Sequence, residues 1–332
     1  MKTPRLIPLL VAVVALLAGC GSGADAGTTE GSGQLLEGVY VELDGHPGPE
    51  NVGILMAQRR GYFADAGLSV DIYTAGSPSY PIHYALNGSA EFAVANEPQI
   101  VLAQAKGLPI VAVGSILPEP TAAMIWLRGS KIKGIADLKG KTIAIPGLGF
   151  QKGFLKAILG RAGLTLADVK VKTVDYELLP TLEKGKADAI FGGSGNVEGA
   201  ELEARGLDPV VTRVQDLGVP DYEELVLATS REYLSSEGQE VRAFMSAVTR
   251  GTAAAIEDPK EAVRAIEEEG EPGPEFNRKG AEAGLEATLP LLSTSGKMDT
   301  STAAGLIDWM HEEGLVRRRP PVSELLTNRF VP

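Results

Sequence analysis

The chain has 332 residues, which exceeds the size of one small domain and favours two compact bodies or one large α/β unit. Hydrophobic residues make up 44% and charged residues 22%, a balance that excludes a disordered chain. A formal net charge of −12 has the wrong sign for holding a nucleic-acid backbone, and a single cysteine excludes an internal disulfide.

The first twenty residues are typical of an export signal. Lys2 and Arg5 precede an apolar run over residues 6–17, which is shorter than the roughly 20 residues that span a bilayer. The run ends in Leu-Ala-Gly-Cys at positions 17–20, which resembles the lipobox of bacterial lipoproteins. This resemblance implies that residues 1–19 are removed and that Cys20 is lipidated, so that the protein is anchored on the extracytoplasmic face of the cell membrane.

Residues 20–34 are rich in Gly, Ser, Ala and Thr and show no apolar periodicity. Such a composition predicts a flexible tether rather than a folded segment. The folded body is therefore expected to begin near residue 35.

From there to residue 228, short apolar runs alternate with amphipathic stretches, which is the α/β pattern. Ten strands are predicted over residues 39–43, 69–73, 91–95, 110–115, 123–127, 142–145, 169–174, 187–191, 210–214 and 225–228. Helices are predicted between them over residues 52–66, 98–106, 151–162, 178–184 and 197–204. Short connections favour mostly parallel strands.

After residue 237 only helical patterns follow. They are predicted over residues 237–257, 259–268, 274–289, 300–313 and 322–326. A chain that builds one sheet, crosses into a second near 128–133 and returns near 222–228 would form two lobes. We therefore predict a first lobe from residues 35–128 and 229–332, and a second from residues 129–228.

Four segments resemble the NMT1/THI5-like family, the solute-binding proteins of ABC importers for nitrate, sulfonates and thiamine precursors. They are GILMAQRRGYF (53–63) with AGLSV (66–70), NGSAEFAVA (87–95), DLKGKTIAIPG (137–147) and LEKGKADAIF (182–191). The resemblance implies a two-lobed periplasmic-binding-protein fold of type II, with two hinge crossings and a ligand cleft between the lobes. It also implies a small-molecule ligand and the transmembrane subunits of an ABC permease as partners, and a monomer without a cofactor.

Within that family, Asn196-Val197-Glu198, GVPDY (218–222) and TNRF (327–330) look most like the members that bind thiamine-pyrimidine precursors. The eukaryotic pyrimidine synthases of the same superfamily carry a cysteine-rich motif. Cys20 is the only cysteine here, so the sequence favours a binding protein over an enzyme. The three histidines lie in no metal-ligand motif, and no metal site is expected.

Ligands of open α/β sheets lie outside the carboxyl ends of the strands, so the loops after strands are the candidate site. In the second lobe, the loop with Gly147, Gly149 and Phe150 would expose backbone N–H groups to a ligand, although simple turn chemistry explains it as well. Gly193 lies in the next such loop, which delivers Asn196 and Glu198 to a helix start.

Glu198 has two interpretations. As an ordinary acid in the first turn of a helix, it would interact favourably with the helix dipole. As a ligand group its carboxylate would accept hydrogen bonds from the exocyclic amine and a protonated ring nitrogen of an aminopyrimidine.

In the first lobe, the loop after the third strand supplies Asn96, Glu97 and Gln99, where Glu97 is equally plausible as a helix N-terminal acid. Tyr176 and Tyr222 are candidates for stacking on a flat ring, with packing residues as the alternative. A sulfonate or nitrate site would need hydroxyl donors or arginines, which the 146–151 loop lacks. The sequence therefore favours an aminopyrimidine over an oxyanion.

Overall fold

The computed structural model describes residues 37–268 and 276–332. The predicted signal peptide, Cys20 and the predicted tether lie outside the described residues.

Within the described residues, all ten predicted strands are present. They are β1 (Glu37–Leu43), β2 (Leu68–Thr74), β3 (Phe92–Ala95), β4 (Ile110–Leu117), β5 (Ala122–Leu127), β6 (Thr142–Ile145), β7 (Lys170–Thr173), β8 (Ala189–Ser194), β9 (Pro209–Arg213) and β10 (Leu225–Ser230). Their β-branched and apolar side chains pack well on a pleated surface, which explains why sequence pattern located them.

The strands form two five-stranded sheets with the orders β2-β1-β3-β10-β4 and β7-β6-β8-β5-β9. In the first sheet β10 pairs antiparallel with β3 and β4, and in the second β5 pairs antiparallel with β8 and β9. Four strands of each sheet therefore run one way and the fifth runs against them. We call the body built on the first sheet the first lobe and the body built on the second sheet the second lobe.

The first crossing between the lobes differs from the prediction. β5 belongs to the second sheet, so the chain crosses at residues 118–121 rather than near 128–133. β10 belongs to the first sheet, so the return is complete before Leu225. The predicted boundaries after residues 128 and 228 place both strands in the opposite lobe, because an apolar strand pattern does not tell which sheet the strand joins.

Thirteen α-helices lie within the described residues. They are α1 (Val52–Arg59), α2 (Tyr62–Asp65), α3 (Pro81–Asn87), α4 (Glu97–Ala105), α5 (Gln151–Arg161), α6 (Leu178–Glu183), α7 (Ala200–Ala204), α8 (Arg231–Ser236), α9 (Gly238–Glu257), α10 (Pro259–Glu268), α11 (Arg278–Thr288), α12 (Thr300–Glu312) and α13 (Val322–Leu325). None of them is both long and apolar enough to cross a membrane.

The lobes share a hydrophobic core behind the cleft. Phe154 of α5, in the second lobe, packs edge-on against Trp309 of α12, which extends from the first lobe, with ring centroids 4.8 Å apart. The same ring lies 4.9 Å from Phe150 and 6.0 Å from Tyr222. This aromatic cluster joins the two lobes.

Candidate functional site

A cleft of about 470 Å³ lies between the two lobes. Its walls come from segments that directly follow parallel strands, including Asp44 after β1, Asn96 after β3, Pro146 after β6 and Tyr176 after β7. The antiparallel strand β10 begins at the same edge, which brings Glu224 into the cleft. The strand directions thus gather polar groups from both lobes around one space of ligand size.

Among the described residues, seven carboxyl groups line this cleft, and four of them form a cluster around Glu50. Asp44 and Glu50 belong to the first lobe, Glu198 belongs to the second lobe, and Glu224 lies at the return crossing. Glu224 is buried, and the other three are half-buried. Such a concentration of acids requires compensation by hydrogen bonds, protons or a cationic or donor-rich ligand.

Thr121, at the first crossing, connects several of these acids. Its backbone N–H donates to Glu224 Oε2 at 2.8 Å, and its hydroxyl lies 3.2 Å from both Glu50 Oε1 and Ser194 Oγ. The backbone N–H of Ser194 in turn donates to Glu198 Oε2 at 2.6 Å. A continuous hydrogen-bond network therefore runs from the first lobe through the crossing to the second.

Burial is the main cause of raised pKa values in the cluster. It raises the pKa of Asp44 to about 7 and that of Glu198 to about 8, with repulsion from Glu50 adding to both. Burial also raises the pKa of Glu224 to about 7 and raises the pKa of Glu50. Near neutral pH the cleft therefore holds both protons and negative charge, and it can donate as well as accept hydrogen bonds.

Positive charge is scarce at this site. Among the described residues that line the cleft, Arg205 is the one lysine or arginine, and it pairs with Glu183 at 2.8 Å and with Glu201. His46 packs against the Tyr176 ring, with centroids 5.0 Å apart. No group of three or more His, Cys, Asp or Glu side chains within 37–268 and 276–332 is placed to hold a metal ion.

Three of the residues predicted from sequence line the cleft: Asn96, Tyr176 and Glu198. Asn96 donates through Nδ2 to the Glu224 carbonyl oxygen and to Glu224 Oε1, both at 2.8 Å. The Tyr176 hydroxyl donates across the cleft to the Ala75 carbonyl oxygen at 2.8 Å. Asn96 therefore orients an acid, whereas Tyr176 joins the lobes.

Four other predicted residues lie behind the cleft wall. Glu97 is buried and accepts a hydrogen bond from the Glu223 N–H at 2.9 Å, and Gln99 accepts one from the Asn96 N–H at 3.0 Å. Phe150 packs in the aromatic cluster. Tyr222 is fully buried, and its hydroxyl donates to Glu224 Oε2 at 3.2 Å, so it supports a cleft acid from behind.

The remaining predicted residues border the cleft. Gly147 has a φ of +87°, which favours glycine, and Gly149 approaches Leu102 of α4. A Cβ on Gly193 would lie 3.2 Å from the Glu198 carboxyl carbon, so the glycine leaves room for that side chain. Asn196 donates to Thr288 Oγ1 of the first lobe at 2.7 Å.

Sequence reasoning missed Asp44, Glu50 and Glu224. Two of them have a usable signal, since Asp44 directly follows a predicted strand and Glu224 directly precedes one, whereas Glu50 lies beside no strand. The missing information was the antiparallel direction of β10, which places its amino end beside the carboxyl ends of the other strands.

Two α/β lobes, two crossings and a polar cleft between them define a periplasmic-binding-protein fold, as predicted. The alkanesulfonate-binding protein SsuA from Xanthomonas axonopodis pv. citri superposes with a TM-score of 0.67 at 17% identity, covering 88% of this chain and 98% of that chain. At this identity the likeness shows the fold alone.

The family model described as NMT1/THI5 like matches residues 48–262, and the chain belongs to this family. A formylaminopyrimidine-binding protein from Halalkalibacterium halodurans is 33% identical over 266 residues, covering 80% of this chain and 79% of the relative. A putative thiamine biosynthesis protein from Haemophilus influenzae is 29% identical, covering 87% of this chain and 91% of the relative. A 4-amino-5-hydroxymethyl-2-methylpyrimidine phosphate synthase from Uromyces fabae is 27% identical, covering 67% of this chain and 68% of the relative. The family predicted from the sequence segments is thereby confirmed.

Proposed function

We propose that this protein is the extracytoplasmic solute-binding component of an ABC importer, and that it delivers a thiamine-related aminopyrimidine to the permease. Its fold supports the binding role, because two lobes joined by crossings can close on a small ligand. The relative named as a formylaminopyrimidine-binding protein supports the ligand class.

The acidic cleft is the observation that carries the proposal. An aminopyrimidine presents an exocyclic amine beside a ring nitrogen, and one carboxyl group can pair with both. Glu198 suits this role, because burial raises its pKa to about 8 and its carboxyl can then keep or release one proton. Whether that proton lies on the carboxyl or on the ring nitrogen, two hydrogen bonds form.

Closure follows from the placement of the acids on both lobes. Glu50 on the first lobe and Glu198 on the second can contact the same ligand. A ligand that binds both stabilises the closed state, which the permease then recognises.

A sulfonate or nitrate ligand is the alternative within this fold. The charge of the cleft counts against such a ligand, since seven acids among the described residues line the space and Arg205 is already paired with two glutamates. Bringing an anionic ligand among these carboxylates opposes binding by roughly several kcal/mol. The cleft therefore favours a neutral or cationic ligand.

Titration calorimetry tests the ligand class. We expect heat of binding with 4-amino-5-hydroxymethyl-2-methylpyrimidine or its formylamino analogue, and none with taurine or nitrate. Binding of taurine or nitrate alone would replace the pyrimidine by an oxyanion and leave the importer role in place.

An enzyme is the alternative from a different class, because relatives at 26–27% identity are named pyrimidine phosphate synthases. We propose a binding protein, supported by the relative at 33% identity and by the absence of any cysteine other than Cys20. Prolonged incubation followed by mass spectrometry should return the pyrimidine unchanged, and a new product would favour the enzyme.

We also propose that Cys20 carries the lipid anchor. Acyl chains contribute about 0.8 kcal/mol per buried methylene, so several chains hold a folded body on a membrane without a spanning helix. The full chain should sediment with bacterial membranes, and Cys20→Ser should release it. A protein that stays membrane-bound after this substitution, or whose Cys20 carries no acyl mass, would contradict the anchor.

A further inference from the structure

Helix α11 of the first lobe packs against the second-lobe turn that carries Glu198. This turn is a π-helical segment, Gly195–Gly199, which follows β8. Gly284 of α11 faces it so closely that an added Cβ would lie 3.6 Å from Val197 Cα and 3.7 Å from the Asn196 carbonyl oxygen. A small residue therefore lets the helix backbone and the turn meet directly.

Asn196 donates a hydrogen bond to the first lobe from this turn. Its Nδ2 donates to Thr288 Oγ1 at 2.7 Å. Thr288 is fully buried, and its hydroxyl donates to the Gly284 carbonyl oxygen at 2.6 Å. The hydroxyl is thereby oriented with its acceptor site toward Asn196.

The same turn holds the ligand-facing acid two residues later. Glu198 lines the cleft, whereas Asn196 and Thr288 lie outside its lining. A movement that separates α11 from the turn would break the Asn196 to Thr288 bond. The geometry therefore couples the position of Glu198 to the contact between α11 and the turn.

We propose that Asn196 and Thr288 are positioning residues that latch the lobes together and hold Glu198 at the ligand. This inference rests on the proposed binding role for its ligand. Because the latch must break before the ligand leaves, its loss accelerates dissociation and leaves association unchanged.

Two variants of Thr288 separate the hydroxyl from the shape of the side chain. Thr288→Val keeps the branched shape but removes the bond, and we expect dissociation of 4-amino-5-hydroxymethyl-2-methylpyrimidine to accelerate about fivefold. Thr288→Ser keeps the hydroxyl and should stay within about twofold of the wild type. Stopped-flow binding measures both rates, and thermal unfolding without ligand checks that each variant folds.

A steric pair of variants tests the same contact. Gly284→Leu adds bulk where α11 meets the turn and should also accelerate dissociation. Gly305→Leu is the matched control, because Gly305 lies in α12 with nothing within 4 Å of an added Cβ. Equal dissociation rates for the wild type, Thr288→Val and Gly284→Leu would overturn the latch. Ligand dissociation from Thr288→Ser at the same rate as from Thr288→Val would also overturn it.

If the wild type binds no pyrimidine, that result removes only the proposed ligand. The latch can still be tested without a ligand. Spin labels on exposed positions of the two lobes, Ser69→Cys and Lys172→Cys in a Cys20→Ser background, report the distance between lobes. Thr288→Val should shift the unliganded distances toward longer values. An unchanged distribution would overturn the latch independently of any ligand.

Discussion

Glu198 and Glu224 share a cleft but differ in how their carboxylates are satisfied. Glu224 accepts hydrogen bonds from the Thr121 and Ala122 N–H groups, the Tyr222 hydroxyl and the Asn96 amide. The described hydrogen bond to the Glu198 carboxylate comes from the Ser194 backbone N–H at the end of β8. Glu224 is thus committed to the protein, whereas Glu198 keeps capacity for a ligand.

Removing the Glu198 carboxyl should therefore weaken ligand binding directly. We expect Glu198→Ala to reduce aminopyrimidine affinity by more than about 1 kcal/mol, as for a charge-assisted hydrogen bond. Glu198→Gln keeps one hydrogen-bond donor and one acceptor, so its affinity should lie between those of the wild type and of Glu198→Ala. Calorimetry checks both variants against Glu203→Ala, an exposed acid of α7. If Glu198→Ala binds as tightly as that control, Glu198 does not contact the ligand.

Glu97 makes stability depend on pH. Burial raises its pKa to about 8, against 4.5 for an ordinary glutamate, and its Oε1 has no hydrogen-bond partner among the described residues. At pH values between these two pKa values, the folded state binds more protons than the unfolded state. The contribution of Glu97 to the free energy of unfolding is therefore present at low pH and is lost as the pH rises.

Glu97→Gln removes the titrating proton but keeps an acceptor for the Glu223 N–H. We expect the free energy of unfolding of the variant to fall less steeply with pH than that of the wild type. Between about pH 6 and pH 8 the two slopes should differ by up to about 1.4 kcal/mol per pH unit. Chemical denaturation across that range measures the slope, with Glu203→Gln as control. An identical slope for Glu97→Gln and the wild type would show that Glu97 titrates normally.

At the scale of elements, helices α1 and α9 cross at two glycines. A Cβ on Gly251 of α9 would collide with the Gly53 carbonyl oxygen and would lie 2.7 Å from the Ala57 nitrogen, both in α1. The close crossing exists because neither helix presents a side chain there.

Gly251→Ala should push the two helices apart. We expect it to lower the free energy of unfolding by about 1–3 kcal/mol, as overpacking does. Gly305→Ala, in open space, should raise it by up to about 1 kcal/mol through helix propensity. Equal stability of the two variants in denaturant titrations would contradict the close crossing.

Elements were easier to predict than their partners. Every strand was found because local apolar runs mark strands, but the helices α3 and α8 were missed. Strand direction and sheet membership depend on long-range pairing. The antiparallel β5 and β10, and therefore the crossing at residues 118–121, could not be deduced from local pattern.

At the scale of the whole molecule, the site exists only after the two lobes meet. Asn96, Tyr176 and Glu198 were predicted because each follows a strand, whereas the burial of Tyr222 depends on packing with distant α5. Asp44, Glu50 and Glu224 become a cluster only through folding, since more than 170 residues separate Glu50 from Glu224 in the sequence. The acidic character of the cleft is thus a property of the fold rather than of any motif.

A crystal structure of the protein grown with 4-amino-5-hydroxymethyl-2-methylpyrimidine tests the central claim most directly. It should contain the unaltered ring between the lobes, with its amine and adjacent ring nitrogen on the Glu198 carboxyl and with α11 seated on the Gly195–Gly199 turn. Ring density outside this cleft, or density for a chemically altered product within it, would contradict the account.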